Sequence, residues 1–136
     1  MMKNRVRACG AFSVTETVLL ILVAVLLAGV AVPRFLQAQK RSEAREILED
    51  LQAIDSAIDQ YAIQSGLAPG SPVPWTKVQY YLRPDSRAAT NPVNRIGGDY
   101  SATPYSVDGP VPTPVGTKAA LGGVVAEEFW KPYELR

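Results

Sequence analysis

The chain has no histidine and one cysteine, Cys9. Lacking histidine, it is without the commonest general base and the commonest metal ligand. A single thiol closes no disulfide within the chain and assembles no thiolate zinc site. The residues before Cys9 are Arg-Val-Arg-Ala, not an apolar run, which excludes a lipoprotein-type anchor there. Clustered positive charge is also missing. Formal net charge is +1, and Lys3, Arg5 and Arg7 stand within the first eleven positions. Without those three, 11 basic and 13 acidic residues remain, too dispersed to neutralise a run of phosphates, so no nucleic-acid partner is expected. Prolines are nearly absent from the front half: all but Pro33 of the 11 follow Gly66. The front half therefore reads as helix and the back half as loop-rich.

The front half is organised by Ala11 to Pro33, AFSVTETVLLILVAVLLAGVAVP. Phe12 to Val32 makes 21 residues, and from Val18 onward all 15 are apolar or Gly. At about 1.5 Å per residue such a helix covers roughly 30 Å, the hydrocarbon thickness of a bilayer. One carboxylate, Glu16, lies near its front edge. A charge at mid-bilayer costs on the order of 2.5–3.5 kcal/mol on insertion scales, so a retained carboxylate points to a partner. The alternative is a side chain that reaches the nearby interface.

From Arg34 to Gly66 the pattern is an amphipathic helix. Ile47, Leu51, Ile54, Ile58 and Tyr61 recur at helical spacing and form one face. Glu43, Glu46, Glu49, Asp50, Asp55 and Asp59 are assigned largely to the other faces. That stripe is expected to pack against the C-terminal domain, with a coiled coil to another subunit as the alternative. Span and stalk read as one helix of some 54 residues, roughly 80 Å long, ending near Ser65 with Gly66 as its cap. Pro33 cannot donate to the carbonyl of Gly29, and Gly29 is itself a weak helix former, so a kink or joint is expected between them.

After Gly66, LAPGSPVP is a turn-rich connector. Trp75 to Leu82 predicts a short helix with Trp75, Val78 and Leu82 on one side, stopped by Pro84. Asp99 to Val107 supplies candidate strand residues Tyr100, Tyr105 and Val107. Gly109 to Gly116, with Pro110, Pro112 and Pro114, fits neither helix nor central strand. Thr117 to Val125 predicts a weak helix, and EEFWKPY closes the chain on aromatics. Trp75, Tyr80, Tyr81, Phe129, Trp130 and Tyr133 are expected in the core, a ligand-stacking patch being the alternative. Asp85, Asp99 and Asp108 read as turn residues; a calcium site, which wants six to eight close oxygens, is the sharper alternative.

The order of basic leader, small residues, aromatic residue and apolar run resembles the N-terminal signal of type IV prepilins and of type II secretion pseudopilins. A secretory signal peptide has its cleavage site after the apolar core; here Cys9, Gly10 and Ala11 precede it. A cut between Ala11 and Phe12 makes Phe12 first, Glu16 fifth and Pro33 twenty-second, the family's landmarks. The departure is Ala11, where the family has Gly; a cut after Gly10 restores Gly and shifts every landmark by one. LEDLQAIDSAIDQYAIQSG resembles the stalk of major pseudopilins, and the tail near Trp130-Lys131-Pro132-Tyr133 loosely resembles theirs.

The resemblance implies an α+β protein: a long N-terminal helix, transmembrane then amphipathic, packed by a small C-terminal domain with short strands and helices. Its divisions are a leader 1–11, a span 12–33, a stalk 34–66 and a globular part 67–136. It implies processing at Gly10, Ala11 and Phe12 by a prepilin peptidase, methylation of the Phe12 amine, and pairing of Glu16 with the Phe12 amine of a neighbouring subunit. Partners are then the same and other pilin-like subunits, the peptidase, an inner-membrane assembly machine and lipid. No cofactor and no catalytic role are expected. Basic residues flank the span on both sides, with Arg34, Lys40, Arg41 and Arg45 after it, so charge counting leaves its orientation open. The resemblance places the leader in the cytoplasm and the C-terminal domain in the periplasm. A secretion pseudopilin of the major type fits better than an adhesive pilin, which usually carries a C-terminal disulfide loop. Competing readings are a type IV pilus subunit, and a ligand-binding domain or enzyme on an uncleaved anchor.

Overall fold

A computed structural model describes residues 12–136. The processing residues Gly10 and Ala11 lie outside that range. The architecture is α+β: a long helix α1 (Val14–Ser65), then β1 (Pro72–Val73), α2 (Trp75–Tyr81), α3 (Arg87–Thr90), β2 (Tyr105–Ser106), α4 (Thr117–Leu121) and a 3₁₀ turn (Glu127–Trp130). Two compact units divide at Leu36 and Gln37, so the stalk from Gln37 shares a unit with the C-terminal loops.

Local chemistry sets both ends of α1. Ser13 caps the start: its Oγ accepts the Glu16 N–H at 3.3 Å, and its carbonyl accepts the Thr17 N–H at 3.0 Å. At the other end Gly66 takes φ +62°, and the Leu67 N–H reaches back to the Ala62 carbonyl at 3.1 Å. That six-to-one bond past a left-handed glycine is a Schellman cap, with Leu67 and Ala62 both partly buried against the core. Pro33 lies inside α1, and helical assignment continues through it.

In the unit 37–136, α1 contributes Ala44, Ile47, Leu51, Ile54, Ala57 and Ile58 to the core. Against them pack Val73, Val78, Leu82, Ala88, Tyr100, Tyr105, Val107, Val111, Leu121 and Trp130. The two strands pair antiparallel, Pro72 with Ser106 and Val73 with Tyr105. Hydrogen bonds from Gly70 N–H to the Val107 carbonyl (2.8 Å) and from Val107 N–H to the Ser71 carbonyl (3.0 Å) extend the pairing. The proline-rich segment Gly109–Gly116 holds the C-terminus instead of joining the sheet. Thr113 N–H donates to the Glu134 carbonyl at 2.7 Å, and Glu134 N–H to the Val111 carbonyl at 3.1 Å.

Three sequence expectations need correction. Asp50, assigned to the polar faces, is 9% exposed; it follows Ile47 by three residues and precedes Ile54 by four, which puts it at the edge of the core stripe. Tyr80, expected in the core, is 80% exposed, because it sits about 200° around α2 from the buried Val78. Of the strand candidates only Tyr105 lies in a strand; Tyr100 and Val107 lie outside both strands yet are buried.

Candidate functional site

The first candidate site is the start of α1. Ser13 and Glu16 stand three apart, the spacing of a capping box, in which a hydroxyl satisfies an orphan N–H and an acid offsets the positive helix end. The observed half is the Glu16 N–H to Ser13 Oγ bond; Ser13 Oγ also lies 3.0 Å from Thr15 Oγ1. The Thr17 hydroxyl donates to the Ser13 carbonyl at 3.3 Å. Three hydroxyls thus gather in the first turn around Ser13, none of them bonded to the Glu16 carboxylate. Among the described residues Glu16 has no ion-pair partner. The signature Ser-x-x-Glu was readable from sequence; its observed half uses the Glu16 backbone N–H and does not engage the carboxylate.

Beyond Glu16 the helix is apolar and bare. Eleven large side chains between Val18 and Val32 are exposed, and the most apolar window of α1 is 0% buried. At about 1.5–3 kcal/mol per side chain withdrawn from water, covering them gains on the order of 20 kcal/mol. The helix is long and apolar enough to cross a membrane. Phe12, the residue expected to open the mature chain, is also exposed. Gly29 has open space where a Cβ would stand, so packing within the chain does not demand a glycine there. Of the five stalk residues, Ile47, Leu51, Ile54 and Ile58 are buried; Tyr61 is half-buried at the rim, its ring 5.8 Å from that of Tyr81.

The second cluster joins the stalk to the loops. Tyr100 Oη donates to Asp50 Oδ2 at 3.0 Å, and Tyr105 Oη donates to the Tyr100 carbonyl at 2.9 Å. Burial pushes the Asp50 carboxyl above its ordinary range, against the opposing pulls of the Tyr100 hydrogen bond and the Arg87 charge. Tyr100 is pushed far up, first by burial and then by the Asp50 charge, so the phenol keeps its proton and donates. Alongside, Glu46 Oε2 bonds Arg87 and lies 3.5 Å from Arg95 Nε, tying α1 to α3 and the following loop. Asn94 Oδ1 accepts the N–H groups of Gly98 (2.7 Å) and Ile96 (3.2 Å). A Cβ on Gly98 would stand 2.7 Å from Pro114 Cβ and 2.8 Å from Asn94 Nδ2, so this turn admits only glycine without movement. Sequence reasoning did not find this cluster, although the position of Asp50 on the stripe was a signal for it.

These groups brace the fold: the Asp50 carboxylate is engaged by a phenol, and Glu46 by two guanidiniums. Asp99 accepts from the Ser101 hydroxyl (2.6 Å) and N–H (2.8 Å), which hold its carboxyl below the ordinary range. Asp108 occupies a turn at φ +56°. Among the described residues no three His, Cys, Asp or Glu side chains converge as a metal site. An open groove of about 460 Å³ lies between the stalk and the α2–α3 connection, lined by residues including Gln52, Ser56, Tyr81 and Arg83. No family model, no curated protein and no solved structure matches the chain.

Proposed function

We propose that the chain is a structural subunit of a pilin-like filament, processed at its N-terminus and held in the bacterial inner membrane by the first half of α1 before assembly. The observation that carries this reading is the unburied apolar first half of α1, whose one carboxylate, Glu16, stands in the first turn and follows the small residues Gly10 and Ala11 and the aromatic Phe12 in sequence. An ordinary anchor has no need of that carboxylate, whereas a subunit moving from bilayer to filament needs both an apolar face and a register-setting charge. In this scheme a prepilin peptidase cuts before Phe12 and methylates the new amine. The leader is cytoplasmic and the C-terminal domain periplasmic. Subunits then stack through α1, with Glu16 of one facing the Phe12 amine of the next. The protein is the substrate of an enzyme and has no catalytic role of its own. A type II secretion pseudopilin of the major type fits best, because no C-terminal disulfide loop can form.

At about 4 Å and an effective dielectric near 20, the Glu16–amine attraction is roughly 4 kcal/mol before desolvation. If a third of that survives desolvation, loss of the pair weakens each subunit contact by about tenfold. Glu16→Ala is therefore expected to be cleaved and inserted normally while filament yield falls by about tenfold or more. Normal filaments from cleaved Glu16→Ala protein refute the pairing.

A further inference from the structure

The unit 37–136 carries a groove that neither the filament scheme nor the core explains. Arg41 and Arg45, one turn apart on α1, form one wall; Val124, Val125, Ala126 and Phe129 form the other. The groove encloses about 310 Å³ and is open to solvent, and no carboxylate lines it. Among the described residues neither arginine is paired with an acid, whereas Arg87, Arg95, Lys118 and Arg136 all are. Val125 and Phe129 pack inward on the core, so the apolar wall is fixed by the fold. Of the acids close in sequence, Glu46 is engaged by Arg87 and Arg95 and Glu127 by Lys118 at 3.2 Å, while Glu43 and Glu128 do not line the groove.

We propose that this groove binds an anionic phospholipid of the bilayer surface, the arginines taking the phosphate and the valine and phenylalanine wall the upper acyl carbons. Three features favour lipid over other occupants. The arginine guanidinium binds phosphate in a fork geometry, and among the described residues neither Arg41 nor Arg45 is in contact with an acid. The opposite wall is apolar, which a free inorganic anion does not require. Arg41 and Arg45 follow Pro33 by only eight and twelve residues in the chain, beside the further basic residues Arg34 and Lys40. Even fully extended, eight residues span at most about 29 Å, so Arg41 is within that contour length of the end of the span. A short tether gives effective concentrations in the millimolar range, enough for a weak site to fill. Each arginine near an anionic surface favours binding by about fivefold, and the two together by roughly 30-fold. This rests on the membrane-span half of the proposed function and is independent of filament assembly. Its consequence for that function is a lipid-gripped resting subunit that must release the lipid on leaving the membrane.

The test uses the full chain reconstituted in vesicles of phosphatidylcholine alone or of a two-to-one phosphatidylcholine and phosphatidylglycerol mixture. Hydrogen exchange of the Gly122–Trp130 amides is followed by mass spectrometry. Exchange is expected to slow by at least about threefold in the anionic vesicles and to recover in about 1 M salt, where the screening length falls to about 3 Å. Arg41→Gln/Arg45→Gln should abolish the slowing, and Arg83→Gln, an exposed arginine elsewhere, should retain it. Equal exchange in both vesicles, or undiminished slowing in the double variant, overturns the proposal while leaving the span intact. Equal slowing by inorganic phosphate in phosphatidylcholine vesicles also overturns it, by making the groove a simple anion site. Failure of the chain to resist carbonate extraction overturns the span reading and this proposal with it.

Discussion

Replacing Tyr100 with Phe removes one hydroxyl and strands the buried Asp50 carboxylate. The bond is 3.0 Å long, with Tyr100 fully buried and Asp50 nearly so. A hydrogen bond to a charged group contributes about 1.5–3 kcal/mol, so Tyr100→Phe is expected to cost about 2 kcal/mol. For a cooperative unit of about 100 residues each kcal/mol moves the midpoint by about 4–8 °C, which predicts a fall of roughly 8–16 °C. With Asp50→Asn in place the same hydroxyl meets a neutral acceptor and contributes only about 1 kcal/mol. A double-mutant cycle should therefore show a coupling of about 1 kcal/mol. Thermal unfolding of the full chain in detergent, read by near-ultraviolet circular dichroism, reports on this unit, since both tryptophans, Trp75 and Trp130, lie in it. A loss below about 0.5 kcal/mol, or the same loss in both backgrounds, would refute the account of this pair.

The same cycle has a pH signature. Burial raises the Asp50 carboxyl, so the native state holds that proton more tightly than the unfolded chain does. Stability from this group is greatest below the unfolded value of about 3.9 and declines as pH rises from there through the raised folded value. Tyr100, Arg87, Glu46 and Glu49 are the charged or titratable groups facing it. Asp55 is also raised, by burial and then by Asp59, and Asp99 is lowered by Ser101, so the whole-protein profile mixes signs. The difference between wild type and Asp50→Asn isolates the site, and the variant should lose less stability across that window.

Leu51→Ala empties a fully buried stripe position and is expected to cost about 2–5 kcal/mol, whereas Ile63→Ala, 82% exposed on the same helix, should stay within about 0.5 kcal/mol. Denaturant titration of both variants checks this; equal effects would mean that the stripe is not the core face. Gly98→Ala pushes a methyl into Pro114 and Asn94 and should lose about 1–3 kcal/mol in the same titration, while Gly123→Ala, with open space around it, should not.

Periodicity made the stalk legible. Four of the five stripe residues are buried because a 3.6-residue repeat leaves few ways to place them. Gly66 likewise announced the helix end, since a left-handed cap selects glycine. The loops were less readable. Two-residue strands carry too little alternation to be seen, and what positions Tyr100 is a contact with Asp50 fifty residues away, which no local pattern encodes. The tail is held by backbone bonds to a proline-rich segment, a pairing that sequence composition argues against. At the start of α1 the carboxylate and the Ser-x-x-Glu spacing were legible in sequence, but the bonds of the Thr15 and Thr17 hydroxyls to Ser13 emerged only with the geometry.

The central claim is that this helix is delivered by cleavage before Phe12, and the mass of the mature N-terminal peptide from membranes of a strain with active prepilin peptidase tests it most directly. The account predicts a chain beginning at N-methylated Phe12; an intact Met1 in that strain would contradict it.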